Sequence, residues 1–311
     1  MASVEPVRVA VVGAGRMGRM HVRAFGRAEG AVIAAVVEPV EAVRGQLQAE
    51  GLDVYAGVEQ LLARAGEVDA AVVAAPTDLH LALVTQLAEA GVATLCEKPC
   101  GLRAEDTVAA VRAADAAGVL LQIGYWRRFV PALVELRARL VGGKLGVPLA
   151  IGCWQWDAQP PPPSFRARSG GILLDMGVHE FDQLRWLTGA EIEEVVVRPA
   201  PSGAEGADPD SATALAQLDN GAVAVVSLGR MFPHGDCCWV ELMATEGYAR
   251  ELFMWGADGA RVFEDALVAQ AEAFVEAVRG QPQRGATGDD AIRAIEAAER
   301  GARSLVGAVG A

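Results

Sequence analysis

The segment from residue 170 to residue 182 holds two side chains that could carry out proton chemistry. Asp175 and His179 are four residues apart, and on a helix that spacing puts both side chains on one face. An imidazole there could take the proton of a substrate hydroxyl while the carboxylate orients the substrate or the ring. Helix capping or a packed core histidine would explain the same spacing. We expect no metal site, because no further histidine or cysteine lies at zinc-ligand spacing.

A glycine-rich turn provides a second chemical signal. The letters GAGRMG occupy residues 13–18, after the apolar run Val7–Val12 and before a helical pattern. In that setting the first glycine permits a tight turn, the second lets the backbone approach a pyrophosphate, and the third lets helix and strand pack closely. The helix N-terminus adds unpaired N–H groups and a partial positive charge. We therefore expect a dinucleotide to be held by Gly13, Gly15, Arg16, Met17 and Gly18.

An acidic residue follows the second strand pattern at the position that decides between the two nicotinamide dinucleotides. Glu38 lies twenty residues beyond Gly18, where a carboxylate can accept hydrogen bonds from both hydroxyls of the adenosine ribose. A 2′-phosphate would meet like-charge repulsion there. The sequence therefore favours NAD over NADP. Arg44, about a turn into the next helix, could offset a 2′-phosphate, and a solvated strand-end residue is the alternative for Glu38.

Two further loops follow strand patterns, and one of them carries a lysine. Ligands of a doubly wound sheet gather beyond the carboxyl ends of its strands, so Lys98 is expected beside the nicotinamide ring. The Lys98–Pro99 step can force a turn that aims the ammonium into the cleft. A surface lysine and ordinary loop polar residues are the alternatives. These loops add six residues to the predicted coenzyme site: Ala75, Pro76, Thr77, His80, Glu97 and Lys98.

Two patterns of elements must position these side chains. Residues 1–123 alternate apolar β-branched runs with Ala- and Leu-rich helical runs, which predicts an α/β Rossmann domain with a doubly wound parallel sheet. Residues 124–311 predict an α+β domain with an open, mainly antiparallel sheet, because strand runs there follow one another through turn residues. The C-terminal helix could pack back on the first domain. The expected strands of the first domain are Val7–Val12, Val32–Val37, Ala70–Ala75, Ala93–Cys96 and Val119–Ile123.

Composition excludes several classes of protein. With 52% hydrophobic and 22% charged residues, the 311-residue chain has ample material for two packed cores, which excludes a disordered or collagen-like protein. A net charge of −13 disfavours phosphate backbones and anionic lipid surfaces, so we expect neither a nucleic acid nor a membrane as partner.

Cysteine usage and the lack of leader-like segments indicate a compartment. The five cysteines are odd in number and lack paired disulfide or zinc spacing, which fits a reducing cytosol. No basic and apolar leader precedes the first strand pattern, and no apolar run reaches the roughly 18 residues that a transmembrane helix needs. We therefore expect a soluble, cytoplasmic protein.

Taken together, these motifs give the sequence a recognisable pattern. It resembles the Gfo/Idh/MocA oxidoreductases, and among them the members similar to inositol 2-dehydrogenase. The resemblance implies an N-terminal Rossmann domain and a C-terminal domain whose open sheet is often used for oligomer contacts, hence a homodimer or homotetramer. The matching stretches are VAVVGAGRMGRMH (9–21), APTDLH (75–80), EKP (97–99), GYWRRFVP (124–131) and GGILLDMGVHEFDQLRWL (170–187).

The resemblance also implies roles for individual residues. Lys98 resembles the lysine that lies near substrate and nicotinamide, Asp175 the substrate-binding carboxylate, and His179 the acid/base. Three more residues complete the predicted substrate site: Tyr125, Arg127 and Trp156. The segment around Trp156 departs from the polar pattern of a standard inositol dehydrogenase, which leaves the substrate open.

The expected reaction is reversible oxidation of a secondary alcohol on a cyclic polyol or sugar, with hydride transfer to NAD. Other members of the family suggest a keto-sugar or nucleotide-sugar reductase, or a glycosidase that uses NAD without net consumption. A nucleotide sugar would need a basic pocket, which Arg127, Arg128, Arg166 and Arg168 could form. A non-catalytic redox sensor would need the glycine turn but neither the lysine nor the Asp–His pair.

Overall fold

The chain folds into two units. The computed structural model describes residues 5–64, 66–200 and 208–308. The first unit takes the residues up to Tyr125 together with Glu264–Asp289, and the second takes Trp126–Phe263 together with the residues from Asp290 on. The chain therefore leaves the first unit, builds most of the second, returns to the first and ends in the second.

Twelve strands and ten helices are described. The strands are β1 Val7–Val12, β2 Ala31–Val37, β3 Val54–Tyr55, β4 Ala70–Val73, β5 Ala93–Cys96, β6 Leu121–Ile123, β7 Pro148–Trp156, β8 Ile192–Pro199, β9 Ser211–Leu218, β10 Val223–Gly229, β11 Cys237–Ala244 and β12 Tyr248–Met254. The helices are α1 Arg16–Arg27, α2 Glu41–Ala49, α3 Val58–Leu62, α4 His80–Glu89, α5 Ala104–Ala117, α6 Pro131–Val141, α7 Pro163–Arg166, α8 Val178–Thr188, α9 Gly259–Val278 and α10 Gly288–Ala308.

The first unit is built on a parallel sheet of six strands in the order β3-β2-β1-β4-β5-β6. The predicted Rossmann fold is confirmed, and the structure adds β3, whose two residues are too few to show a strand period. Strand order reverses between β1 and β4, which makes the carboxyl ends of these strands the expected ligand edge. Valines of β1 and β4 are buried with Phe25 of α1 and Phe274 of α9, so α9 supplies part of this core from late in the chain.

The second unit is built on a six-stranded sheet in the order β12-β11-β7-β10-β9-β8. The prediction of a mainly antiparallel sheet is confirmed, with one difference: β10 runs parallel to β7. That pairing is absent from the sequence pattern, because successive strand runs suggest hairpins throughout. Side chains of one sheet face are buried beneath helices, whereas the opposite face, here called the open sheet face, exposes apolar residues: Val196, Leu215, Val225, Met243, Tyr248 and Leu252.

Two general features of the described residues bear on function. None of the helices in these ranges has the length and apolar character needed to cross a membrane. The five cysteines are all buried and free.

Candidate active site

The glycine turn between β1 and α1 has the geometry that a dinucleotide requires. Gly13 has φ +95°, and a Cβ at that position would lie 2.8 Å from the carbonyl oxygen of Ala74. At Gly18 a Cβ would lie 1.8 Å from the carbonyl oxygen of Gly13, so helix and turn can touch only without a side chain there. A Cβ on Gly15 would meet no atom within 4 Å. The middle glycine therefore faces open space beside the first turn of α1, where a pyrophosphate can approach the backbone.

Glu38 ends β2 next to this turn. Its side chain is buried, and its carboxylate accepts hydrogen bonds from the backbone N–H of Ala14 at 3.0 Å and of Val40 at 2.9 Å. A carboxylate has about four acceptor sites, so two N–H bonds leave capacity for ribose hydroxyls. Arg44 donates to the backbone carbonyls of Glu38 and Pro39, at 3.0 and 2.6 Å, which brings a guanidinium close to the same corner.

The loop after β4 lies against the glycine turn. A Cβ on Gly13 would be 2.9 Å from Cα of Ala75, so this loop and the turn share one edge of the sheet. His80, the first residue of α4, is 1% exposed, and its two ring nitrogens lie 2.8 Å from the carbonyl oxygens of Ala75 and Pro99. The two hydrogen bonds favour the protonated ring, but burial outweighs them, so the pKa of His80 is lowered. Its side chain therefore ties two loops together and is turned away from solvent.

Lys98 follows β5 at the same sheet edge and is half-buried. The Lys98–Pro99 peptide is cis. Glu97 beside it is buried, accepts the backbone N–H of Lys98 at 3.2 Å, and lies 2.6 Å from Nε2 of His21 in α1. Burial alone would raise the pKa of Glu97. The hydrogen bond and charge of His21 and the charge of Lys98 outweigh burial, so the net pKa of Glu97 lies below its ordinary value. Glu97 is therefore ionised at neutral pH, and it supports the lysine turn from within the unit.

In the second unit, Asp175 and His179 lie on consecutive turns of one helical segment. The segment is helical, as the spacing argument assumes, but Leu173–Gly177 forms a π-helical turn that leads into α8. Such turns are rare in proteins, and those that do occur are often found at functional sites. Asp175 is partly exposed, whereas His179 is buried, with its ring 6.3 Å from that of Trp126. The two groups that the spacing predicts on one face are thus presented by a locally widened helix.

Arg230 is a residue of this site that sequence reasoning missed. It is fully buried just beyond β10, and its guanidinium contacts Asp175 at 3.2 Å and Asp208 at 2.7 Å. Asp208 also accepts the backbone N–H of Ile172 at the start of the helical segment. The arginine therefore fixes the direction of the Asp175 carboxylate. Strand alternation carries a signal for it, because Ala224, Val226, Leu228 and Arg230 share the inward face of one strand.

Gly177 explains how the π-helical turn comes close to β10. A Cβ there would be 3.3 Å from Cδ1 of Leu228 and from the ring of Phe181, a contact so tight that these neighbours would have to shift by a few tenths of an ångström. Leu228 is two residues before Arg230 on the same strand face. The close approach at Gly177 therefore brings Asp175 within reach of the buried guanidinium.

Arg127, expected to bind substrate, is instead committed to the interior of the second unit. Its side chain is 3% exposed, and its terminal nitrogens donate to Glu180 at 2.5 Å and to Gln155 at 2.8 Å. Burial lowers the pKa of Arg127, but the charge of Glu180 outweighs it and the net pKa is raised. The family pattern could not reveal this, because Glu180 lies 53 positions away. Arg127 supports α8, which carries His179, through the neighbouring residue.

The two aromatic residues of the predicted substrate site are placed differently. Tyr125 is 1% exposed in the first unit, following β6 at the ligand edge of the parallel sheet. Trp156 lies on the open sheet face: its indole N–H donates to Ser227 at 3.1 Å, and its ring covers Gly229. Gln155, the preceding residue, points to the helix side with Arg127. Trp156 is therefore on the opposite face of the sheet from Asp175, so the structure does not bring these two predicted site residues together.

The arginines that could have formed a basic pocket are largely neutralised. Arg127 pairs with Glu180, Arg128 pairs with Asp182 at 2.5 Å, and Arg166 pairs with Asp210 at 2.6 Å. The structure gives no cluster of three or more His, Cys, Asp or Glu within its described ranges that could hold a metal ion.

Two family models match the chain in succession. The first, described as an oxidoreductase family with an NAD-binding Rossmann fold, matches residues 7–125, and the second, the GFO/IDH/MocA C-terminal domain, matches residues 133–250. The chain therefore belongs to the Gfo/Idh/MocA oxidoreductase family, and its first unit is an NAD-binding Rossmann domain. The open Gly15 edge and the Glu38 carboxylate fit that coenzyme.

Named relatives extend over nearly the whole chain. It is 46% identical to the rhizopine catabolism protein MocA of Rhizobium meliloti over 295 residues, 94% of this chain and 93% of the relative. It is 36% identical to the myo-inositol dehydrogenase Hyg17 of Streptomyces leeuwenhoekii over 324 residues, covering 95% and 97%. Among solved structures, GenD2 from gentamicin A biosynthesis in complex with NAD has a TM-score of 0.90 at 26% identity, covering 98% and 96%.

Proposed function

We propose that this oxidoreductase acts on a CH–OH group and reversibly oxidises a secondary alcohol of a cyclic polyol or sugar. The observation that carries the proposal is the Asp175–His179 segment, a widened helical turn whose carboxylate is held by a fully buried arginine. It occurs in a chain whose other unit has a complete dinucleotide edge. A coenzyme-binding sensor would need the second feature but not the first.

In the proposed reaction each protein group has a defined task. His179 takes the proton from the substrate hydroxyl oxygen, a contribution of roughly 10²- to 10⁴-fold for a placed base. The Lys98 ammonium stabilises negative charge that develops on that oxygen. Asp175, oriented by Arg230, accepts hydrogen bonds from substrate hydroxyls. The bound nicotinamide coenzyme supplies the acceptor for the hydride of the carbinol carbon.

We propose NAD as the preferred coenzyme. The proposal is supported by Glu38, because both of its oxygens accept backbone N–H groups next to the glycine turn and retain capacity for ribose hydroxyls. A 2′-phosphate would have to sit beside this negative charge. Arg44 is engaged with the carbonyl groups of Glu38 and Pro39, and would have to give up those bonds to neutralise a phosphate.

A cyclitol is the substrate class we favour among polyols and sugars. The relative Hyg17 is named a myo-inositol dehydrogenase and spans nearly the same length as this chain. A nucleotide-linked sugar is less well supported, because three of the four arginines proposed for its phosphates pair with carboxylates.

Purified protein incubated with NAD⁺ or NADP⁺ and a panel of inositols, aminocyclitols and aldoses tests this proposal. We expect reduced nicotinamide to appear with at least one cyclitol and NAD⁺, and much more slowly with NADP⁺. A His179→Ala variant serves as the blank for contaminating dehydrogenases. No reduction with any compound of the panel would contradict the proposal.

We also propose that the protein works as a homodimer or homotetramer. On the open sheet face, Leu215, Met243 and Tyr248 are each 54% exposed, and contiguous exposed apolar surface of this kind marks interaction sites. Sedimentation equilibrium of the native protein and of a Leu215→Glu/Met243→Glu variant tests it. An oligomer that dissociates in the variant is expected, and a monomeric native protein would contradict it.

A further inference from the structure

His21 is a buried histidine to which the proposed reaction gives no task. It lies in α1, three residues after the last glycine of the turn, and its side chain is 1% exposed. Its Nε2 atom is 2.6 Å from Oε1 of Glu97, which precedes Lys98. The other oxygen of Glu97 accepts the backbone N–H of Lys98 at 3.2 Å. One carboxylate thus joins the helix behind the glycine turn to the backbone of the lysine.

The other ring nitrogen of His21 indicates that this contact is not there for stability alone. Nδ1 is buried and has no hydrogen-bond partner, and the ring packs 6.3 Å from that of Phe25 at the edge of the core. Leaving a polar atom buried without a partner costs free energy. Leucine would fill much of this space without that cost. What leucine cannot supply is the donor to Glu97.

The surroundings of Glu97 leave the carboxylate little freedom. A Cβ on Gly124 would lie 3.1 Å from its Cδ and Oε1 atoms, so the absence of a side chain there makes room for the group. The charged and titratable groups that face Glu97 are His21 from α1, Lys98 from its own loop, His80 from α4 and the buried thiol of Cys96.

We propose that His21 is a positioning residue, which holds the turn carrying Lys98 by donating its Nε2 proton to Glu97. This inference rests on the proposed function, in which Lys98 stabilises charge on the substrate oxygen. It also gives α1 two tasks, because the helix that offers its N-terminus to the coenzyme also braces the lysine loop. His21 itself touches neither substrate nor coenzyme in this proposal.

Removing the His21 donor should raise the pKa of Glu97, because the carboxylate is buried. Burial raises the pKa of Glu97, and His21 is the first of the groups that oppose it. In His21→Leu the opposing contribution falls, so the pKa of Glu97 rises and the carboxyl protonates as the pH falls through a higher value than in the native protein. A protonated Glu97 adds no negative charge and accepts the Lys98 N–H less strongly.

The test compares His21→Leu with His21→Gln, whose side-chain amide can again donate to Glu97. In His21→Leu we expect kcat to fall by on the order of 10²-fold, the effect typical of a misplaced catalytic group, with NAD affinity unchanged. The acid limb of kcat/KM should move to higher pH. His21→Gln should restore much of kcat and the native acid limb. Phe25→Leu, one turn along α1, is the control that disturbs packing without touching Glu97.

A readout independent of turnover keeps this test separate from that of the proposed function. In an NMR experiment on protein labelled with carboxyl-¹³C glutamate, the signal of Glu97 is identified as the one that is missing in Glu97→Gln. The titration of this signal should move to higher pH in His21→Leu but not in Phe25→Leu. An unmoved Glu97 titration, or a His21→Leu variant whose pH profile matches Phe25→Leu, would overturn the proposal. Full turnover in Lys98→Met would instead contradict the proposed function. The Glu97 titration in His21→Leu would then still test whether His21 donates to Glu97.

Discussion

The two units build their sites by different physical means. The coenzyme edge of the first unit is made of loops at the ends of parallel strands, and its main devices are missing side chains and backbone N–H groups, as at Gly15 and Glu38. The site of the second unit lies on one helical segment held by buried ion pairs. Asp175 depends on Arg230, 55 positions away, and α8 depends on Arg127. The glycine turn and Glu38 lie within one short stretch of sequence, whereas the ion pairs of the second site join distant positions.

This difference decides what a substitution should do. At the coenzyme edge, a change removes a contact to a ligand and leaves the fold largely intact. In the second unit, removing one partner of a buried ion pair leaves the other charge without compensation in the interior. Chemistry and stability are therefore coupled wherever a site depends on a buried ion pair, as in much of the second unit and at His21–Glu97 in the first, except at groups that only touch substrate.

His179 should be the strongest such exception. His179→Ala removes the proposed base, and we expect kcat for the best cyclitol to fall by roughly 10²- to 10⁴-fold. NAD affinity, measured by fluorescence titration, should stay native, because the coenzyme edge lies in the first unit. Weakened NAD binding with retained turnover would reverse the assignment of tasks between the units.

Arg127→Met should show the coupling to stability most clearly. It leaves the Glu180 carboxylate buried without its cation, so we expect the free energy of unfolding to fall by about 3 to 5 kcal/mol. Urea denaturation measures it. Arg64→Met, on the surface of the first unit, is the matched control and should unfold almost as the native protein does. A stable Arg127→Met variant with weak substrate binding would instead support the predicted role of Arg127 in binding substrate.

Arg230→Lys should lower activity through the orientation of Asp175. Lysine keeps the charge but not the fork that holds Asp175 and Asp208 together. Since hydrogen bonds to charged groups contribute about 1.5 to 3 kcal/mol, kcat/KM should fall by roughly 10- to 100-fold. Steady-state kinetics checks this value. Unchanged kinetics would show that Asp175 needs no support from the buried arginine.

Glu38→Gln should have the smallest effect on function, and it replaces one of the two oxygens that accept backbone N–H groups. Without the negative charge, we expect NAD to bind roughly ten-fold more weakly, about 1.4 kcal/mol, and the preference over NADP to narrow. Binding titrations with both coenzymes, alongside thermal melts, measure these effects. An unaltered preference for NAD would point to another determinant of coenzyme choice.

The same contrast explains how far the sequence could predict the structure. The first unit was predictable because strand, glycine turn and helix follow one another within thirty residues, and strand ends place Glu38 and Lys98 without further knowledge. The roles of Arg127 and Arg230 depend on partners more than fifty positions away. Strand alternation places Arg230 on the inward face, but it does not reveal the partner. The face on which Trp156 lies follows from strand alternation in a sheet that includes the unexpected parallel pair of β7 and β10, and the sequence pattern does not show that pair.

The most direct test of the central claim follows the hydrogen itself. The native protein is incubated with NAD⁺ and the cyclitol of the panel that it oxidises fastest, carrying deuterium on its ring carbons, and the reduced coenzyme is examined by mass spectrometry. We expect one deuterium per reduced nicotinamide and a ketone on the ring, with neither product from His179→Ala. Reduced coenzyme without deuterium, or a cyclitol recovered without oxidation although the coenzyme is reduced, would contradict hydride transfer from the ring.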